Sequence, residues 1–424
     1  MQRYLDEVWS KCFKVLDDIK ETVRKEAAGL ARVLTNVLLN NLESSEGKTE
    51  VISELLKSVL PFIMSTSGIE SSAEDVKMLS LHTLLEIVKK SKPALLRPFI
   101  PDLISQLLLL LTSFEPEAVN YVALNASNYN LKQSDIDDAR LKSIRSSPIM
   151  EAVERALDML DEQTMAETLP KLLETMRAAV GVPSKVGCSR VLVSLSTRKN
   201  FVFRPFADQA LAALERRVID RNETVSSSYA AAFGYIARVA SDGQVLKTSK
   251  FAQRLYFGDA DDDRPRFVAA EIFNGIAKSA TDRFNALASD LIPFVFFGRF
   301  DNTERVRQIF KETYDEVSSG PRVVSLYLKE ILSLVREHLS SPKWTLKHGS
   351  AKALSEAVQA LSASHGLISE NQAELMWPLL QEALAQKSWD GKAKVLTGFA
   401  TFTEKVERTW RSQDANRKEI KKVS

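Results

Sequence analysis

Apolar side chains along this chain recur in blocks at intervals of three and four residues, the spacing of one face of an α-helix. "LLKSVLPFIM", "ETLPKLLETMRAAV", "RPFADQALAALERRV", "ALASDLIPFVFFGRF" and "AELMWPLLQEALAQ" show it, and each carries a proline. A short polar turn follows, then a second amphipathic stretch such as "TVRKEAAGLARVL" or "VRQIFKETYDEV". The second stretch opens on a template: Asp or Ser, four residues, an apolar anchor, then often Lys or Arg. Asp18 precedes Val23 and Arg24, and Ser71 precedes Val76 and Lys77. Asp220 precedes Val225, Asp262 precedes Phe267, and Asp301 precedes Val306 and Arg307. Ser341 precedes Leu346 and Lys347, and Ser388 precedes Ala393 and Lys394. Weaker copies centre on Val119 and Val186. Asp and Ser in front of a helix accept hydrogen bonds from its free N–H groups, so these residues are predicted caps.

From Val186 the anchors fall on Val225, Phe267, Val306, Leu346 and Ala393, in steps of 39, 42, 39, 40 and 47 residues. A two-helix unit of about 40–47 residues is the period of HEAT and armadillo arrays, longer than that of ankyrin or tetratricopeptide units. The predicted fold is all-α: a right-handed α-solenoid of about nine helix pairs, in which stacking supplies the core that one pair lacks. Small residues such as Ala230, Ala231, Ala269 and Ala270 let neighbouring helices approach.

The Asp-x4-Val-Arg of Asp18/Arg24 and Asp301/Arg307 resembles the HEAT-repeat signature. That resemblance implies a ladder of hydrogen bonds between Asp and Arg of neighbouring units, with Asp262 the upstream partner of Arg307. Ser226 and Val268 stand where the ladder wants a basic residue. Three longer stretches are more specific: "YLDEVWSKCFKVLDDIKETVRKEAAGLARVL", "FVFRPFADQALAALERRVIDRNETVSSSYAAAFGYIARVA" and "KWTLKHGSAKALSEAV". They resemble the C-terminal part of the large HEAT-repeat proteasome adaptor and scaffold family. Members of that family tether the proteasome regulatory particle to the core particle and are several times longer than this chain. The resemblance implies a non-enzymatic scaffold in cytoplasm and nucleus. Its partners are then subunits of the proteasome core and regulatory particles, with stabilisation of their association and assembly quality control as its work. A nuclear transport receptor is the alternative among HEAT arrays, but it calls for a strongly acidic chain, and this one carries +2.

Four segments are expected: HEAT-like repeats over 1–124, an inserted, partly disordered polar loop over 125–148, repeats again over 149–410, and a flexible tail over 411–424. The loop assignment rests on "NASNYNLKQSDIDDARLKSIRSSP", which has no sustained apolar period, and a helix, "IMEAVERALDMLDE", leads from it back into the array. "LISQLLLLL" is too short to span a bilayer and reads as a buried helix, so no stable membrane insertion is expected.

Charge and candidate chemistry narrow the function. A near-neutral chain has no global field for nucleic acid. Cys12 and Cys188 exclude a disulfide framework or a cysteine zinc site. His82, His338, His348 and His365 are scattered, and neither phosphate-cradling glycine motif occurs. "GDADDDRPRF" could offer oxygen ligands to a cation, but it lacks the EF-hand spacing and reads as a turn with acids at a helix start. No catalytic residue, cofactor, metal or small-molecule substrate is predicted. The expected contact face is the ridge of second helices carrying Arg24, Lys77, Arg307, Lys347 and Lys394.

Overall fold

The computed structural model describes residues 2–43, 49–115, 117–258, 262–318, 320–387, 389 and 391–423. The chain forms two compact units, Met1–Phe206 and Ala207–Ser424. Among the described residues both are helical, with no β-strand beyond one isolated bridge.

Helices of eight residues or more in the first unit are α1 (Gln2–Leu16), α2 (Glu21–Glu43), α3 (Thr49–Ile63), α4 (Glu74–Lys90) and α5 (Ile100–Ser113). They continue as α6 (Glu117–Leu124), α7 (Gln133–Arg145), α8 (Pro148–Asp158), α9 (Glu162–Ala178) and α10 (Gly181–Arg198). The second unit holds α11 (Ala207–Glu215), α12 (Glu223–Ala237), α13 (Asp242–Phe257), α14 (Arg264–Ser279), α15 (Ala288–Gly298) and α16 (Glu304–Val317). It closes with α17 (Leu328–Leu339), α18 (Trp344–His365), α19 (Glu370–Ala385), α20 (Lys392–Lys405) and α21 (Asp414–Val423).

Among the described residues, each unit is a stack of helix pairs. The first unit pairs α1 with α2, α3 with α4, α5 with α8, and α9 with α10. The second pairs α11 with α12, α13 with α14, α15 with α16, α17 with α18, and α19 with α20. Second helices pack on one another along α12, α14 and α16, and again between α18 and α20. First helices do the same along α11, α13, α15, α17 and α19. The apolar stripes meet between the layers: Val225, Phe233, Ile236, Ile272, Phe273, Ile276 and Phe310 are fully buried. Pro61, Pro170, Pro293 and Pro378 lie inside first helices, where each removes one backbone donor. The α12–α14 approach is close enough that a Cβ on Gly234 would lie 2.0 Å from the carbonyl oxygen of Gly275.

The segment expected as a loop over 125–148 is helical instead. Gln133–Arg145 forms α7, with Ile136 and Ile144 buried. Arg140 lies between them and pairs with Glu115 at 2.7 Å and Asp137 at 3.3 Å, all three largely shielded from solvent. Two apolar residues eight apart are too few to read as a period, but an internal ion cluster completes the buried face. The helix after it, α8, is no mere return segment. It packs on α4, α5 and α10, and so is the second helix of the pair that α5 begins. Ile149, Met150, Val153, Ala156 and Leu157 give it one buried face. Ser147 caps it by accepting from the N–H of Ile149, with Pro148 at the first helical position. The weak copy at Val119 is therefore not a second helix, and 117–145 is inserted within a pair.

The tail expected to be flexible over 411–424 carries α21, which opens on Asp414, an acid at the positive end of the helix dipole. Trp410 is buried before it, edge-on to Phe402 and Trp377. "LISQLLLLL" lies in α5, with Leu103, Ile104, Leu107 and Leu108 in the core.

Candidate interaction surface

The template residues share one geometry. The acceptor side chains of Asp18, Ser71, Asp220, Asp262, Asp301 and Ser341 take the N–H two residues on, at 2.7–3.2 Å. After Asp18, Ser71, Asp220, Asp301 and Ser341 the helix starts three residues later. They therefore close a turn in front of the helix rather than capping its own N–H groups. Asp262 instead takes the N–H of Arg264, the first residue of α14, and at α12 the cap is a different residue, Asn222, which accepts from the N–H of Val225. Ser388 lies outside the described residues.

The ladder runs differently from the expectation. Arg307 does not reach Asp262; it folds back onto the carbonyl oxygen of Asp301 at 2.8 Å and pairs with Glu304. Arg24 likewise donates to the carbonyl of Asp18 at 2.9 Å, and at 3.9 Å it only approaches Asp75 of the next helix pair. Ser226, at the equivalent position, bonds with the backbone of Asp220. A side chain six residues after the turn thus serves its own turn, because the turn leaves that carbonyl turned toward the first helical coil.

Pairing between neighbouring helix pairs falls to the arginine four residues after the template aspartate. Arg266 meets the Asp301 carboxylate at 3.4 Å and donates to the hydroxyl of Thr303 at 2.9 Å. Arg305 forks onto Asp263 at 2.6 and 3.0 Å and onto Glu223 at 3.0 and 3.1 Å. It also stands over the Phe267 ring at 4.5 Å. One guanidinium therefore ties together the starts of α12, α14 and α16. The Arg305 bond holds the Asp263 carboxyl below its ordinary range, and the two acids raise Arg305 in turn. Asp262 pairs with Arg264 in its own turn. The Asp-x3-Arg spacing of Asp262/Arg266 and Asp301/Arg305 was the available signal.

The remaining basic candidates differ in setting. Lys77 stands over the Phe114 ring at 4.7 Å, Lys347 over Trp344 at 5.6 Å, and Lys394 is exposed. Behind the turns, Glu271 accepts from Ser227 at 2.8 Å, and burial pushes its carboxyl up to about 7. Burial also pushes the Cys188 thiol up to about 12, and it raises Tyr256, whose hydroxyl adjoins Asp301. His338 stacks on Phe257 and is lowered by burial. These groups serve packing and pairing; among the described residues no cluster of His, Cys, Asp or Glu could hold a metal ion.

A model of the HEAT-repeat domain of the proteasome adapter and scaffold protein ECM29 matches residues 96–257. The chain is 30% identical over 404 residues to the proteasome component ECM29 of Saccharomyces cerevisiae, covering 95% of this chain and 21% of that protein. This chain is similar to one part of the ECM29 proteins. The human proteasome adapter and scaffold protein ECM29 is 29% identical over 405 residues, with 93% of this chain and 21% of that protein aligned. The chain spans about a fifth of the length of these ECM29 relatives. A crystal structure of Kap121p aligns with 98% of this chain and 45% of its own, at 13% identity and a TM-score of 0.40.

Proposed function

We propose that this chain is a segment of a non-enzymatic scaffold that binds assembled proteasomes, stabilises the association of core and regulatory particles, and takes part in assembly quality control. The observation that carries this is similarity along 95% of the chain to a protein named as a proteasome component. The architecture supports it. Stacked pairs present long rows of helix ends, and many modest contacts over such a surface sum to stable association. The charge cluster on Arg305 is consumed in holding helix starts together, a use that suits a rigid scaffold. Localisation to cytoplasm and nucleus follows from this reading and is checked by imaging the tagged chain.

The test is co-purification. The tagged chain, incubated with purified assembled proteasomes and recovered by its tag, brings down subunits of both core and regulatory particles. Recovery no greater than with an unrelated helical-repeat protein of similar size refutes the proposal.

A further inference from the structure

We propose that the insertion within the α5–α8 pair carries a docking surface, formed by Tyr121, Leu124, Tyr129 and Leu131, for an uncharged apolar patch on a partner protein. This deepens the scaffold reading and rests on it in taking that partner to be a proteasome subunit. The second half of the insertion is tied to the array: α7 packs on α10 and buries Ile136 and Ile144. The first half is not. α6 has eight residues, packs on α7 and buries none of its own side chains. A helix that short is marginal in water alone, and helices in proteins owe most of their stability to a packed apolar face. The large side chains of this segment instead face solvent: Tyr121 is 59% exposed, Leu124 86%, Tyr129 54% and Leu131 37%. Single exposed apolar residues need no explanation, but four within 121–131 mark a face that another molecule covers.

Local bonds set these side chains in place. The Asn125 N–H and its side-chain Nδ2 both donate to the carbonyl oxygen of Tyr121, at 3.1 and 2.8 Å, and close the end of α6. The N–H of Leu131 donates to the Ala126 carbonyl at 3.0 Å, around Asn130, whose φ of 51° is in the left-handed region that Asn tolerates. Tyr129 and Leu131 therefore sit on a tight turn directly after the helix that carries Tyr121 and Leu124 on one face. The occupant follows from the chemistry. No charged residue occurs from Ala118 to Leu131, so a partner patch without charge fits, because a charge buried against it would have no counterpart. Tyr is enriched at protein interfaces, where its ring adds area and its hydroxyl stays wet or bonded. A lipid surface fits less well, since helices that lie in it carry Lys and Arg on their polar face. A second copy fits less well too: four side chains offer on the order of 500 Å², against about 800 Å² per partner in a stable pair of proteins. The same area suffices as one contact among the many that a long scaffold sums.

The probe is purified assembled proteasome, immobilised, titrated with the whole chain and read by biolayer interferometry. Tyr121→Ser with Leu124→Ser weakens binding at least about tenfold, as the loss of interface anchors does, and Tyr129→Ser weakens it about threefold or more. The loss is the same in low and in high salt, since no charge is removed. Leu124→Met keeps the apolar bulk and with it the affinity. Phe201→Ser, which removes a side chain 85% exposed elsewhere in the same unit, leaves affinity unchanged. Melting temperatures of the variants match the parent's, because α6 buries no side chain. Unchanged affinity of the double variant, or a loss that disappears in high salt, overturns the proposal. Flotation of the chain with phosphatidylcholine vesicles that depends on Tyr121 and Leu124 overturns it in favour of lipid. A dimer in sedimentation that the double variant lacks overturns it in favour of a second copy. A parent chain that does not bind proteasomes refutes the scaffold reading and this docking together; a parent and a double variant that bind equally refute this proposal alone.

Discussion

Gly234→Ala is a one-methyl perturbation with a large expected effect. The new Cβ would stand 2.0 Å from the carbonyl oxygen of Gly275, where real contacts keep at least 3.0 Å. The obstacle is backbone, so no side chain can swing aside, and α12 and α14 must part by about 1 Å along their length. Forced overpacking of this kind costs about 3 kcal/mol. Replacing glycine in a helix interior returns about 1 kcal/mol through helix propensity. The net loss is about 2 kcal/mol, or a melting temperature lower by roughly 4–8 °C for a unit of this size. Gly275→Ala is the control, because its Cβ would meet the carbonyl oxygen of Ala230 at 3.0 Å and nothing else closer than 3.6 Å. The propensity gain of about 1 kcal/mol offsets that tight contact, and stability stays near the parent's. Calorimetry on the two variants decides. A Gly234→Ala chain as stable as the parent, or equal losses at both sites, refutes the close-packed α12–α14 seam.

Arg305→Ala loses the fork onto Asp263 and Glu223; at 38% exposure that is worth about 1–2 kcal/mol, seen in thermal melts, whereas Arg307→Ala, which serves only its own turn, costs less. Asp301, whose side chain is 3% exposed, loses both its turn and Arg266 in Asp301→Ala at a cost of about 2–3 kcal/mol, while Asp301→Asn keeps the acceptor for Thr303 and costs less by the same measure. Glu271 titrates near 4.5 when unfolded and near 7 in the fold, so its cost to stability sets in as pH rises through that window and is complete above it. Glu271→Gln is therefore more stable than the parent at about pH 8, by no more than about 3 kcal/mol, and close to it at about pH 4, measured by melting at both. Cys188 is buried with its thiol raised to about 12, so iodoacetamide labels it only after denaturation, as peptide mass spectrometry will show.

The helix pairs were legible because stacking imposes one apolar stripe per helix and one turn per pair. The residues from Asp301 to Phe310 illustrate how far that goes. Val306 and Phe310 are buried as the anchor spacing requires, and Asp301 marks the turn. The role of Arg307 was misassigned because a signature gives spacing, not direction, and a long side chain six residues after the turn reaches its own carbonyl first. Arg305, Asp263 and Glu223 come together only when three helix starts are stacked, which no single window of sequence displays. The pair α5–α8 was hidden for a related reason: 117–145 separates its helices, and α7 completes its buried face with Arg140, Glu115 and Asp137 instead of apolar residues. His348 on α18 lies flat on Trp389, just before α20, and this contact likewise joins two consecutive pairs.

The measurement that bears most directly on the scaffold account is crosslinking mass spectrometry of the intact chain with purified assembled proteasomes. The account predicts crosslinks from lysines at second-helix starts, Lys77, Lys347 and Lys394 among them, to subunits of both the core and the regulatory particle. Crosslinks confined to the chain itself, under conditions in which neighbouring proteasome subunits crosslink to one another, contradict it.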